Sequence, residues 1–115
     1  MNNTITEQDI INEVRRLAAD NPDYIYVSPG GSEYSSCVYI HDGKGSCIVG
    51  RALVNNGFDP EKVSQHEGLT ADEMLVALGI KEETDFEQVW LDRVQTLQDS
   101  GTPWADAVEE ADLEE

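Results

Sequence analysis

Cys47 and His41 are the two side chains of this sequence whose types could carry covalent chemistry together. A thiol in the first turn of a helix is acidified by the helix dipole, and a nearby imidazole is the minimum base for a thiol nucleophile. Against that, Cys47 runs straight into Ile48-Val49 on a segment that is apolar round most of its circumference. An inert, buried thiol is the commoner outcome there. Cys37, His41, Cys47 and His66 could be written as four zinc ligands, but they lack the short Cys-x₂₋₄-Cys clip of structural zinc, and no metal is expected. The turn Gly43-Lys44-Gly45-Ser46 stands between a strand and a helix, where backbone amides favour an anion. A phosphate loop needs four residues between its first glycine and Gly-Lys-Ser/Thr; here Lys44 lies between the glycines. The dinucleotide spacing fails as well, with Ile48 where the third glycine belongs. A capped turn is the reading, with no cofactor.

What remains is charge. Residues 59–115 hold seventeen acidic side chains against three basic ones, Lys62, Lys81 and Arg93, a net of −14. Residues 1–58 hold seven against four, a net of −3, which completes the chain's −17. Such a surface repels nucleic acid and anionic membrane and attracts basic proteins. A helix-turn-helix over the middle helices is disfavoured for the same reason, because its recognition helix would open on Asp72 and Glu73. Asp85, Asp92 and Asp99 recur every seven residues beside an apolar helical face. Antiparallel last helices would bring that line near Asp106, Glu109 and Glu110. Seventeen charges match about 29 Å of duplex at about 1.7 Å per charge, and a domain of this length is about 27 Å across. The total therefore suffices for nucleic-acid mimicry if the carboxylates gather on one side. An ordinary solvated acidic surface is the simpler alternative. No Asp-x-Asp-x-Asp-Gly calcium loop is present.

The elements that must position these groups follow from periodicity and caps. Thr4-x-x-Glu7 reads as a capping box, with Thr6 as a competing cap, opening a helix over residues 7–19 that Asn21-Pro22 stops. Residues 24–27 and 37–40 are aromatic and β-branched and read as the strands of a hairpin with a long Pro-Gly-Gly loop. Tyr24 and Tyr26 would share one strand face, either packed on helices or exposed as an aromatic patch. After the turn 41–45, Ser46 caps a helix over 47–56 whose mid-helix Gly50 implies a close neighbour. Asp59-Pro60 and Thr70 open two short helices. Thr84-x-x-Glu87 opens the longest, over 85–100, and Thr102-Pro103 the last, with residues 112–115 a frayed tail. Trp90 and Trp104 are core anchors. The fold class is α+β: a mostly helical single domain over 1–115, with about six helices and one two-stranded β-hairpin after the first.

Cys37-Val38-Tyr39, the glycine turn and Ser46-Cys47-Ile48-Val49-Gly50-Arg51-Ala52-Leu53 resemble a signature of small, uncharacterised acidic proteins of actinobacteria and their phages. Gln98-Asp99, Gly101 and Trp104 are similar to the end of the same family. The resemblance covers roughly two-thirds of the chain and lends origin rather than mechanism, because that family carries no established activity.

The chain lacks an apolar run long enough to span a bilayer, and its first ten residues are mostly polar. The expectation is a cytoplasmic protein with two reduced cysteines. With the phage type that the resemblance implies, the expectation is a non-enzymatic accessory protein that binds the basic surface of a host protein, with no direct nucleic-acid or membrane contact. In its narrowest form it is a nucleic-acid mimic that inhibits a DNA- or RNA-binding host system. The expected contacts are Asp85, Asp92, Asp99, Asp106, Glu109 and Glu110, with Tyr24 and Tyr26. The alternatives are a small thiol enzyme or redox protein using Cys47 and His41, and an assembly protein pairing through tyrosines.

Overall fold

The first helix, α1 (Glu7–Asp20), starts on a reciprocal cap. Thr6 Oγ1 accepts from the Asp9 amide at 3.2 Å and the Asp9 carboxylate accepts from the Thr6 amide at 2.9 Å. The box is thus built on the competing cap, with aspartate doing the work expected of Glu7. Ile10, Val14, Leu17 and Ala18 form its buried face. The computed structural model describes residues 5–26, 38–84 and 89–113.

The strands differ in place from the sequence expectation. They are β1 (Ile40–His41) and β2 (Lys44–Gly45), antiparallel, with Ile40 opposite Gly45 and His41 opposite Lys44. Asp42 and Gly43 carry φ of 53° and 75°, the two left-handed residues that a tight two-residue hairpin turn requires. The ladder continues beyond the strands through Ser46 N–H to Tyr39 O at 2.8 Å and Cys47 N–H to Val38 O at 3.1 Å. Residues 24–26, read as a strand, are not one. The carbonyls of Pro22 and Tyr24 accept instead from the amides of Ala105 and Trp104, at 3.2 and 3.0 Å, and so cap the last helix. Strand propensity lost to a tertiary demand. The expected loop, with Val27 and Cys37 at the strand ends beside it, lies outside the described residues; of the strand expected over 37–40, Ile40 is in β1 and residues 38 and 39 are not in a strand.

Helix α2 (Ile48–Asn55) is central: Ile48, Val49, Gly50, Ala52 and Leu53 are buried, and it packs on α1, β2 and the fifth helix. Gly50 has the close neighbour that its position implied. A Cβ there would stand 2.1 Å from the Tyr39 carbonyl oxygen and 2.9 Å from Tyr39 Cα. The opposite contact is equally tight, since a Cβ on Gly45 would meet Arg51 Cα at 2.6 Å. The hairpin therefore sits backbone to backbone on α2.

Two short helices follow, α3 (Pro60–Ser64) on its Asp59 cap and α4 (Ala71–Ala77) on a Thr70/Glu73 capping box. Helix α5 (Trp90–Asp99) begins later than expected, because Val89 has extended backbone and serves as the N-cap. Thr84 is exposed and non-helical, and residues 85–88 lie outside the described set. A four-residue turn leads to α6 (Trp104–Leu113), and this last pair packs more extensively than any other. Asp112, expected to fray, is held in α6. Among the described residues the architecture is six helices with one two-stranded antiparallel sheet after the first, spanning 38 × 33 × 28 Å.

Gly50→Ala should destabilise the protein by about 2–3 kcal/mol, as overpacking against backbone does, although helix propensity alone favours alanine by about 1 kcal/mol. Urea denaturation decides between the two signs. A more stable alanine variant would refute the close approach of hairpin and helix.

Candidate binding surface

Helix α6 is amphipathic. Trp104, Ala107 and Ala111 are buried, and Asp106, Glu109 and Glu110 are exposed on the outer side. Three carboxylates at i, i+3 and i+4 are neighbours on a helix surface and repel one another. None of the three is ion-paired among the described residues. Asp99, at the C-terminus of α5, is also exposed and accepts from the Gln98 amide nitrogen at 3.0 Å.

The line expected through Asp85, Asp92 and Asp99 does not survive intact. Asp85 lies outside the described residues. Asp92 is half-buried and its Oδ1 accepts from the Asp72 amide at 2.9 Å, in the first turn of α4. It serves the fold as a cap. Burial pushes its carboxyl above the ordinary aspartate range, against the pull of the Asp72 amide, and the charges of Asp72 and Glu73 add to the rise. Asp72 is itself 3% exposed and ion-paired with Lys81, which also reaches Glu7 at 3.5 Å.

Three arginines are similarly committed. Arg15 grips Asp112 with two hydrogen bonds of 2.9 and 3.0 Å while lying 4.5 Å from the Trp90 ring centre. The Trp90 indole donates to the same carboxylate at 2.8 Å. Arg15, then Trp90, hold Asp112 below the ordinary aspartate range. Arg16 spans Glu13 and Asp20 on α1. Arg51 donates to Ser46 O at 3.1 Å and stacks 5.0 Å from Trp104 and 5.3 Å from Tyr24.

Tyr24 and Tyr26 part company. Tyr26 is 7% exposed, with its hydroxyl 3.0 Å from Ser46 Oγ and accepting from the Val38 amide at 3.3 Å. It is structural. Tyr24 is 39% exposed and meets Trp104 edge-on at 4.6 Å, so part of its ring is presented to solvent.

Cys47 corrects the expectation of two free thiols: it is fully buried, disulfide-bonded, and the N-cap of α2 without a side-chain capping bond. Ser46, expected to cap, is turned to Tyr26 instead. An oxidised sulfur is no thiolate nucleophile, and His41 is exposed and beside Asp42 at 3.3 Å. Cys37 lies outside the described residues. Among the described residues no group of three His, Cys, Asp or Glu side chains could hold a metal ion, and no helix is long and apolar enough to cross a membrane.

Two positioning residues carried no signal in the sequence. Gln98, fully buried, accepts from the Ile48 amide at 2.8 Å and from the Trp104 indole at 3.1 Å through one oxygen. Glu67 accepts from the Tyr39 and Ile40 amides, each at 2.9 Å. The bonds to Ile48, Tyr39 and Ile40 join segments 27 to 50 residues apart in the chain, which no local pattern marks.

No protein-family model, curated protein or solved structure gives a significant match to this chain.

Asp92→Asn should raise the melting temperature at pH 7, since the amide keeps an acceptor for Asp72 N–H and removes a charge that burial opposes. A carboxyl with a raised pKa in the fold favours folding when protonated and loses that advantage as pH rises through the raised value. The gap between variant and parent should therefore close on acidification. Thermal melts from pH 7 to pH 4 test it, and a gap that widens in acid would be contrary to this assignment.

Proposed function

We propose that this chain is a non-enzymatic accessory protein of phage type that binds a host protein through the acidic surface of its C-terminal half. In the narrowest form it occupies a basic nucleic-acid-binding groove in place of the nucleic acid. The observation that carries the reading is the row Asp106, Glu109 and Glu110. These are three exposed, adjacent carboxylates without a paired base, in a half of the chain with a net charge of −14. Like-charge neighbours at this spacing cost a helix about 0.2–0.5 kcal/mol per pair, a cost that a basic partner would offset. Dimensions agree as well. The chain's −17 corresponds to about 29 Å of duplex, within its extents of 28 to 38 Å. Asp99 and the exposed part of Tyr24 are the further contacts. Asp92 and Tyr26 act through the fold. The site of action in this reading is the host cytoplasm.

Paired baits test the reading: the protein and its D106K/E109K/E110K variant, each incubated with bacterial lysate and washed at graded salt. The expected result is a basic partner that duplex DNA competes away, that is captured weakly or not at all by the variant, and that elutes steeply as salt rises towards about 0.5 M. Equal capture by both baits, or retention undiminished at that salt, would overturn it.

A further inference from the structure

A hollow of about 680 Å³ opens where α2 and α4 both end. Ile5, Phe58, Leu78 and Ile80 give it apolar walls, and Asn56, Gly57 and Gly79 line it as well. That volume lies in the range of about 300–1,000 Å³ typical of ligand-binding cavities. All four apolar residues are only partly buried, and each packs from its other side on the core. Among the described residues no lysine or arginine lines the hollow.

Its electrostatics are one-sided. The C-terminal carbonyl ends of two helices meet there, and such ends are partial negative charges. Asp59 follows the lining residue Phe58, and Glu82 and Glu83 follow Ile80 closely; all three acids are exposed. The basic side chain nearest in sequence, Lys81, is 11% exposed and directed to Asp72 and Glu7. A smaller hollow of about 250 Å³, on the far side of Phe58 and Leu78, carries Lys62 and His66 and lacks this character.

We propose that the larger hollow is the anchoring site for an amphipathic basic segment of the partner protein. Two or three apolar side chains of that segment would enter between Phe58, Leu78 and Ile80, and its lysines and arginines would face Asp59, Glu82 and Glu83. A basic occupant gains from Asp59, Glu82 and Glu83, which are exposed and within three residues of the lining in the chain, and an anionic or neutral one does not; charge complementarity selects the occupant. The proposal rests on the reading of a basic partner and adds where the apolar part of the contact is made. Carboxylates alone would give a contact that salt dissolves, while an apolar anchor gives it a lifetime.

A short amphipathic helical peptide of leucine and lysine is the probe, with apolar residues at i, i+3, i+4 and i+7. A glutamate/leucine peptide and a lysine/serine peptide of the same length serve as comparators. Titration into isotopically labelled protein, followed through backbone amide resonances, should shift residues 56–58 and 78–80 with the leucine/lysine peptide. The two comparators should bind at least roughly tenfold more weakly, as loss of an anchor or of the charges implies. Ile80→Lys should weaken the leucine/lysine peptide by a similar factor; should that variant not fold, Ile5→Lys, ahead of α1, is read in its place.

The inference is overturned, with the proposed function left standing, if the basic peptides bind but shift only Asp99, Asp106, Glu109 and Glu110. It is equally overturned if the glutamate/leucine peptide binds as tightly, or if residues 56–58 and 78–80 shift with protein concentration alone, which would make a second copy the occupant. If no basic peptide binds anywhere, the inference and the functional reading fail together.

Discussion

One side-chain oxygen joins three helices. Gln98 Oε1, buried in α5, accepts from the Ile48 amide at the start of α2 and from the Trp104 indole at the start of α6. A buried polar group without partners costs about 1–3 kcal/mol, so neither α2 nor α6 can leave this position without stranding a donor. The amide is well suited to the task because its oxygen is neutral. A carboxylate there would add a buried charge to a fold that already carries −17. Through Gln98 the acidic helix α6 takes its orientation from the same atom that sets the central helix.

The arrangement of charge follows from that frame. Arg15, Arg16, Arg51 and Lys81 are drawn to partners within the chain: Asp112 and Trp90, Glu13 and Asp20, the Trp104–Tyr24 pair, and Asp72 with Glu7. Several of these contacts tie helices distant in sequence. Each ion pair offsets a base against an acid and leaves the net charge of −17 unchanged, so the carboxylates Asp106, Glu109 and Glu110, unpaired among the described residues, stand apart from the paired charges.

The apolar hollow belongs to the same logic. Two helices that stop at Gly57 and Gly79, both with positive φ, turn their chains away and leave a gap floored by apolar residues. Helices ended elsewhere would have filled it. The gap is thus a product of where α2 and α4 end.

Local rules were enough for much of the architecture. The caps at Asp59 and Thr70 and the glycine stops depend on neighbours within a few residues, and apolar periodicity marked α2, Trp90 and Trp104 for the core; these the sequence determined, whereas the first capping box moved from Thr4 to Thr6. It determined the net charge as well. Tertiary structure decided the rest, because its causes lie far apart in the chain. The carbonyls of Pro22 and Tyr24 are taken by α6, which removes a strand that propensity favoured. Asp92 is taken by Asp72 N–H, which breaks a line of acids that spacing alone made continuous. Hydrogen bonds between remote segments outweigh local preference wherever burial leaves a donor no other acceptor, and such pairings have no periodicity for a sequence to display.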